Sequence, residues 1–205
     1  MKIGIMGGTF NPPHIGHINA ALKAKRALGL DKLIFIPDST PPHKEIEENS
    51  PSAHERFEMT ELAAREVGAE VSDIELLRGG RSYTVETLSE LSEIYHDDEL
   101  WLIVGTDMFL SLETWRNPQK LLLSAYIAVI PRKDGDAGAL FEYADKLRCK
   151  YGAKCRIIET GAVTISSSEI RSCMKNGNFR KYIPESVYNY IEEKGLYGIR
   201  EVDAT

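Results

Sequence analysis

The chain has 205 residues, 31 acidic against 25 basic, a net charge of −6, and 42% hydrophobic with 27% charged residues. That composition excludes the disordered, collagen-like and coiled-coil classes, and the acidic balance argues against general binding to a nucleic-acid polymer. Three cysteines, Cys149, Cys155 and Cys173, make neither a disulfide framework nor a C-x-x-C zinc pair.

In chain order, the first apolar run is Ile3 to Met6, and a helical pattern with Ile15, Ile18, Leu22 and Leu28 on one face runs from Ile15 to Leu28 and stops at Gly29. A second apolar run, Leu33 to Ile36, feeds a long loop, Pro37 to Pro51. Ser52 with Glu55 is a capping-box pattern opening a helix to Val67, and a weak strand is expected at Glu70 to Ile74. Thr84 to Tyr95 sets Val85, Leu88, Leu91 and Tyr95 on one helical face. Apolar runs Leu100 to Val104 and Tyr126 to Ile130 follow, then a weak strand at Arg156 to Glu159. Two more helices are expected, Ser166 to Lys175 with a Ser166–Glu169 box, and Pro184 to Lys194 ending at Gly195.

The strand runs are nearly continuous rather than alternating, as in strands buried on both faces. With helices between them they predict an α/β, doubly wound, mainly parallel sheet of five to six strands flanked by helices. Residues 1–205 read as one domain, with a small C-terminal helical portion over 165–197 and a frayed tail after it. No linker or repeat divides the chain, and its length suffices to bury about 70% of the unfolded surface. Ligands of such sheets bind beyond the carboxyl ends of the strands, so the loops after the strands are where chemistry is expected.

The loop after the first strand reads Gly7-Gly8-Thr9-Phe10-Asn11-Pro12-Pro13-His14-Ile15-Gly16-His17. Gly7 and Gly8 allow backbone N–H groups close to a phosphate, and the helix that follows presents its positive end there. His14 and His17 share a face of the first turn, and Gly16 between them leaves room for a ligand. The glycine spacing fits neither the P-loop nor the dinucleotide fingerprint. This segment resembles the H-x-G-H motif of the nucleotidyltransferase superfamily, relatives of class I tRNA synthetases. The resemblance implies a Rossmann-like fold and release of pyrophosphate from a nucleoside triphosphate. At Asn11 the superfamily more commonly has Asp, a mild departure implying no need for a charged metal ligand there.

Ile165-Ser166-Ser167-Ser168-Glu169-Ile170-Arg171 is a serine cluster opening a helix, with an arginine one turn in. Hydroxyls and free N–H groups at a helix start suit phosphate oxygens, and a guanidinium suits two at once. Alone, it is also a good N-cap beside a surface arginine. It resembles the I-S-S-T-x-I-R motif that accompanies H-x-G-H, not the K-M-S-K-S element of synthetases.

Three further features, Pro41-Pro42-His43-Lys44, Ser82-Tyr83-Thr84, and Gly105-Thr106-Asp107-Met108 with Trp115-Arg116, resemble the bacterial nicotinate-nucleotide adenylyltransferases from Lys2 to about Tyr197. The resemblance implies that His14, His17, Lys44 and Arg171 carry the reaction, with ATP held by Gly7, Gly8, Thr9, Phe10, His14, His17, Gly105, Asp107, Arg132, Ile165, Ser166, Ser167 and Arg171. It implies nicotinate mononucleotide at Asn11, Lys44, Ser82, Tyr83, Thr84 and Trp115, and Mg²⁺ arriving with ATP without protein side-chain ligands. Trp115 is read two ways, stacked on the nicotinate ring or buried as core. Asp107 is either at the nucleotide or the N-cap of the next helix. Trp101 is expected in the core, His96 in solvent, and His54 and Arg56 on a helix surface, although Arg56 matches the family's pattern.

Phosphopantetheine adenylyltransferases share the two motifs but are typically shorter and lack the Ser82–Thr84 and tryptophan features, and a cytidylyltransferase is the third alternative. A non-catalytic nucleotide sensor would have no need of all four cationic or imidazole groups. The opening Met-Lys-Ile-Gly-Ile has no long apolar leader, and no run reaches the ~18 residues of a membrane helix. A cytoplasmic chain with no membrane partner is expected. Oligomeric state is not fixed by the sequence, and a homo-oligomer is left open.

Overall fold

The computed structural model describes residues 1–42, 49–131, 137–158, 165–174 and 178–199. Six strands form one sheet: β1 (Lys2–Gly8), β2 (Lys32–Pro37), β3 (Glu70–Val71), β4 (Glu99–Gly105), β5 (Tyr126–Ile130) and β6 (Cys155–Ile157). Their order is β3-β2-β1-β4-β5-β6, and every described pairing is parallel. Nine helices connect or follow the described strands: α1 (Ile15–Leu28), α2 (Ala53–Arg65), α3 (Ile74–Arg78), α4 (Thr84–Ile94), α5 (Thr106–Leu110), α6 (Pro118–Ser124), α7 (Ala137–Tyr151), α8 (Ser167–Met174) and α9 (Glu185–Lys194). The doubly wound parallel sheet expected from the apolar runs is the fold observed.

Alternate residues of each strand serve opposite faces, the period-two geometry of a pleated strand. Ile3 and Ile5 of β1 join Leu100, Leu102 and Val104 of β4 against Leu88 of α4, Leu121 of α6 and Leu140 of α7. Met6 joins Leu33, Phe35, Ile103 and Ile130 against Ala21 and Ala24 of α1 and Ala64 of α2. Gly4 lies on this second face. A Cβ there would meet Leu30 at 2.6 Å and Leu33 at 2.8 Å, so only glycine lets α1's end pack so closely. Trp101 is buried on the sheet and stacked on Tyr126 at 4.5 Å, and His96 is exposed, as expected.

The C-terminal portion builds a third cluster rather than extending the sheet. Ile170 and Met174 of α8 and Val187 and Ile191 of α9 pack on Ile18 of α1 and Met59 and Ala63 of α2. This cluster carries α8 onto the loop that follows β1. No helix among the described residues is long and apolar enough to cross a membrane.

Several boundaries differ from expectation. The strand expected at Glu70 to Ile74 ends at Val71, because this edge strand pairs with β2 only through Ile34 and Phe35, and Ile74 instead opens α3. The expected strand at Arg156 to Glu159 and helix to Lys175 each end beside residues outside those described. α3, α6 and α7 were not anticipated, and α5 only as the helix beside Asp107. α7 fully buries only Leu140 and Leu147, too sparse an apolar stripe to read from sequence.

Candidate active site

The strand order reverses between β1 and β4, where one neighbour continues to β2 and the other to β5. The crevice beyond Gly8 and Gly105 at such a switch point is where open α/β sheets bind ligands. A cavity of about 750 Å³ opens there, within the usual size range of small-molecule sites. It is lined by Gly7, Gly8, Thr9, Phe10, Asn11, His14 and His17 from the first loop, and by Ser82, Tyr83, Thr84, Gly105, Asp107 and Trp115. Ile165, Ser166, Ser167 and Arg171 of the C-terminal motif line it too. Two of the expected site residues, Lys44 and Arg132, lie outside the described residues.

The histidine pair is built into the start of α1. His14 is the N-cap, and its Nδ1 accepts the Gly16 N–H at 3.1 Å. His17 reaches back, and its Nδ1 accepts the His14 N–H at 3.3 Å. This is a capping box made of imidazoles in place of the usual hydroxyl and carboxylate. A ring nitrogen that accepts carries no proton, so in each ring the proton sits on Nε2, on the far side from the helix backbone. The rings stack with centroids 3.7 Å apart, and Phe10 sets its edge against His17 at 4.9 Å. Phe10 is buried at φ 45°, a left-handed conformation unusual for a bulky residue, which turns its ring beneath the pair.

Gly16 has a different reason from the one its position suggested. A Cβ there would strike the His14 ring at 2.7 Å and Ile165 at 3.0 Å. The missing side chain makes room for the His14 imidazole and for Ile165 of the second motif, and Gly16 also lines the cavity. A Cβ on Gly7 would meet nothing closer than the Ile36 carbonyl at 4.0 Å and one on Gly8 would touch the Phe10 ring at 3.4 Å, and both residues line the cavity.

α8 docks on the same loop. Ser167 Oγ donates to the Pro12 carbonyl at 3.0 Å, and Arg171 Nη1 donates to the Asn11 carbonyl at 2.8 Å. Ser166 is bound in a capping box with Glu169. The hydroxyls of Ser166 and Ser167 are thus used within the fold. What the turn offers an anion is the first-turn N–H groups of Ser167 and Ser168, which have no intrahelical acceptor.

The other end of the cavity is aromatic. Tyr83 precedes α4, with Arg116 stacked over its ring at 4.3 Å, and Trp115 is half-buried with Nε1 donating to Ser111 Oγ at 3.2 Å. Trp115 both lines the cavity and packs on the core, so the two readings of it coexist. Asp107 is not an N-cap: Gly105 holds that position, and Asp107 lies inside the exposed first turn of α5.

A cytidylyltransferase-like family model matches residues 5–173. A chain from Desulfitobacterium hafniense (strain Y51) described as a "Probable nicotinate-nucleotide adenylyltransferase" is 41% identical over 203 residues, covering 97% of this chain and 96% of that one. One of the same description from Borreliella burgdorferi is 37% identical, covering 96% and 97%. This chain belongs to the nicotinate-nucleotide adenylyltransferase family. Its fold matches Plasmodium falciparum nicotinic acid mononucleotide adenylyltransferase complexed with NaAD, with a TM-score of 0.77 at 18% identity, covering 97% of this chain and 98% of that one.

Residues that support this adenylyltransferase's cavity escaped the sequence reading. Arg56 was expected on a helix surface and is fully buried. Its guanidinium donates to the Thr9 carbonyl at 2.7 Å, Asp38 Oδ1 at 2.8 Å, and the carbonyls of Asp38 at 2.8 Å and Ser39 at 3.0 Å. Asp38 Oδ2 accepts from Thr9 Oγ at 2.7 Å, so one ion pair ties the loops after β1 and β2 together. His54, by contrast, is exposed as expected. Tyr197 stands at φ 56° and donates to Asn11 Oδ1 at 2.6 Å, while Asn11 Nδ2 donates to Ser50 Oγ at 3.2 Å. Burial pushes the Tyr197 phenol up, keeping it a donor. Asn11, read as a binding residue, is therefore first an anchor for the loop, its amide engaged on both sides. A phosphate-loop anchor lying 186 residues away leaves no sequence signal.

Proposed function

We propose that this chain joins ATP and nicotinate mononucleotide to form nicotinate adenine dinucleotide, in the cytoplasm. An oxygen of the acceptor phosphate attacks the α-phosphorus of ATP in line. The bond from that phosphorus to the bridging oxygen breaks, and pyrophosphate leaves with the electron pair. The nucleophile is already an anion, so no protein nucleophile or strong base is needed. The supporting observation is one continuous cavity with two helix N-termini and two imidazoles, groups suited to phosphate, at one end and aromatic rings at the other.

His14 and His17 donate Nε2–H to the α-phosphate as charge develops. Lys44 and Arg171 hold the leaving pyrophosphate, with Gly7, Gly8, Thr9, Phe10, Ile165, Ser166 and Ser167 around the triphosphate. Gly105, Asp107 and Arg132 take the adenosine end. Asn11, Lys44, Ser82, Tyr83, Thr84 and Trp115 take nicotinate mononucleotide, its ring on Trp115 and its carboxylate at the start of α4. ATP enters as its Mg²⁺ complex. Asp38 is committed to Arg56 and Thr9, which fits an ion carried by the triphosphate and its waters.

Pyrophosphate release with Mg-ATP tests this, comparing nicotinate mononucleotide, nicotinamide mononucleotide and phosphopantetheine. Fast release with the first alone is expected. Release only with another acceptor overturns the assignment of the aromatic end. Trp115→Ala is expected to raise the KM for nicotinate mononucleotide roughly tenfold, as one lost aromatic contact of about 1.4 kcal/mol would, while sparing that for ATP. An equal rise for both substrates would make Trp115 structural only.

A further inference from the structure

Glu75, in the short helix α3, is 6% exposed and lines the same cavity as the histidine pair, yet the reaction above uses no carboxylate there. Thr87 Oγ of α4 donates to its Oε1 at 2.5 Å and itself accepts from Arg78 at 2.8 Å. The Ser82 hydroxyl also favours the ionised form of Glu75. Ser82 Oγ accepts the Ser39 N–H at 2.9 Å, and Ser82 N–H donates to the Thr40 carbonyl at 2.9 Å. One buried carboxylate therefore holds the first turn of α4 through Thr87, while Ser82, on the other side of Tyr83 and Thr84, is tied to the loop after β2. A segment fixed at both ends has a defined place for the Tyr83 ring and for the N–H groups opening α4.

We infer that Glu75 is a positioning residue for the acceptor half of the site, holding the Ser82–Thr84 turn on which the nicotinate ring and carboxylate bind. This rests on the reaction proposed above. The ionised carboxylate is the stronger acceptor for the Thr87 hydroxyl, and protonation turns one of its oxygens into a donor and weakens that hold. The charges facing it are Arg78 of α3 at 3.8 Å and Asp38 after β2. Glu90 of α4 pairs with Arg78 at 2.7 Å, and Glu86 lies between Arg116 at 3.0 Å and Arg78 at 3.9 Å. Burial, the largest influence, pushes the Glu75 carboxyl above the ordinary carboxylate range. Acceptor affinity therefore falls on the acid side at a higher pH than an ordinary carboxylate would dictate.

The test is the KM for each substrate and kcat across about pH 5 to 8, the range bracketing a raised carboxyl, for wild type, Glu75→Gln and Thr87→Val. Glu75→Gln is expected to raise the acceptor KM about tenfold near neutrality, the size of a lost hydrogen bond to a charged group. The KM for ATP should stay within about twofold, since the triphosphate end does not touch this turn. The acid-side rise in acceptor KM seen in wild type should vanish in the variant. Both enzymes meet the same substrate ionisations, so the difference between profiles belongs to the protein. Thr87→Val should move the same KM in the same direction by less, and it decides the matter if Glu75→Gln does not fold. An unchanged acceptor KM, an equal rise in both KM values, or parallel pH profiles overturns the inference alone. Wild type inactive with nicotinate mononucleotide overturns the reaction and the inference together.

Discussion

Replacing His17 with alanine is expected to lower kcat by about 10²–10³, the cost of removing one preorganised donor to a developing oxyanion, or roughly 3–4 kcal/mol. The ring has two separable tasks. Its Nδ1 accepts the His14 N–H and so completes the cap of α1. In the reaction proposed above, its Nε2–H is the donor to the α-phosphate. Losing the cap costs about 1 kcal/mol of stability and does not by itself remove catalysis. His17→Asn separates the two, because an amide oxygen can still accept the backbone N–H but offers no imidazole donor at the same reach. Both variants should lose turnover to a similar degree, while the asparagine variant keeps a Tm closer to wild type. The measurement is kcat by pyrophosphate release with both substrates saturating, beside thermal unfolding. A His17→Ala enzyme within a few-fold of wild-type kcat would show that the imidazole is a cap and nothing more.

The same ring shows how far the sequence could be read. Spacing placed His14 and His17 on one face of a first turn, and the glycine-rich loop placed that turn beyond a buried strand. Both statements follow from local periodicity, which is why they survive in the structure. The stack of the two rings, and the use of each Nδ1 as a cap, are consequences of backbone geometry that no spacing rule encodes. Gly16 was singled out correctly but for an incomplete reason, since the His14 ring that fills its space is brought there by the cap. Arg56 was misplaced because a lone arginine on a helix is ordinarily solvated. Its burial depends on Asp38, which arrives from another loop. Tyr197 was invisible for the same reason, its partner Asn11 lying 186 residues away, whereas Glu75 sits near its partners in sequence but on a short helix with no pattern that marks a buried acid.

Arg56→Met is expected to destabilise the protein by about 3–5 kcal/mol, the range found when one member of a buried ion pair is removed. The methionine fills much of the volume of the arginine stem, so the loss is not mainly a cavity. It comes from Asp38, which would keep the Thr9 hydroxyl but lose its cation inside the protein. Two backbone carbonyls beyond that pair, on Thr9 and Ser39, would also lose their donor. For a chain of this size such a loss corresponds to a fall in Tm of roughly 10 °C or more. Pairing the change with Asp38→Asn distinguishes this cause from simple misfit. A neutral amide carries no unpaired charge, so the double variant should be less destabilised than the sum of the singles, with a coupling of about 1–3 kcal/mol. Additive losses would mean that the ion pair is not what joins the two loops. The same bonds fix Thr9 beside the glycines of β1's end and Ser39 beside Ser82, so the two halves of the cavity share one support. An Arg56→Met enzyme that still folds should therefore lose affinity for ATP and for the acceptor together, unlike the Trp115 and Glu75 variants, which weaken the acceptor alone.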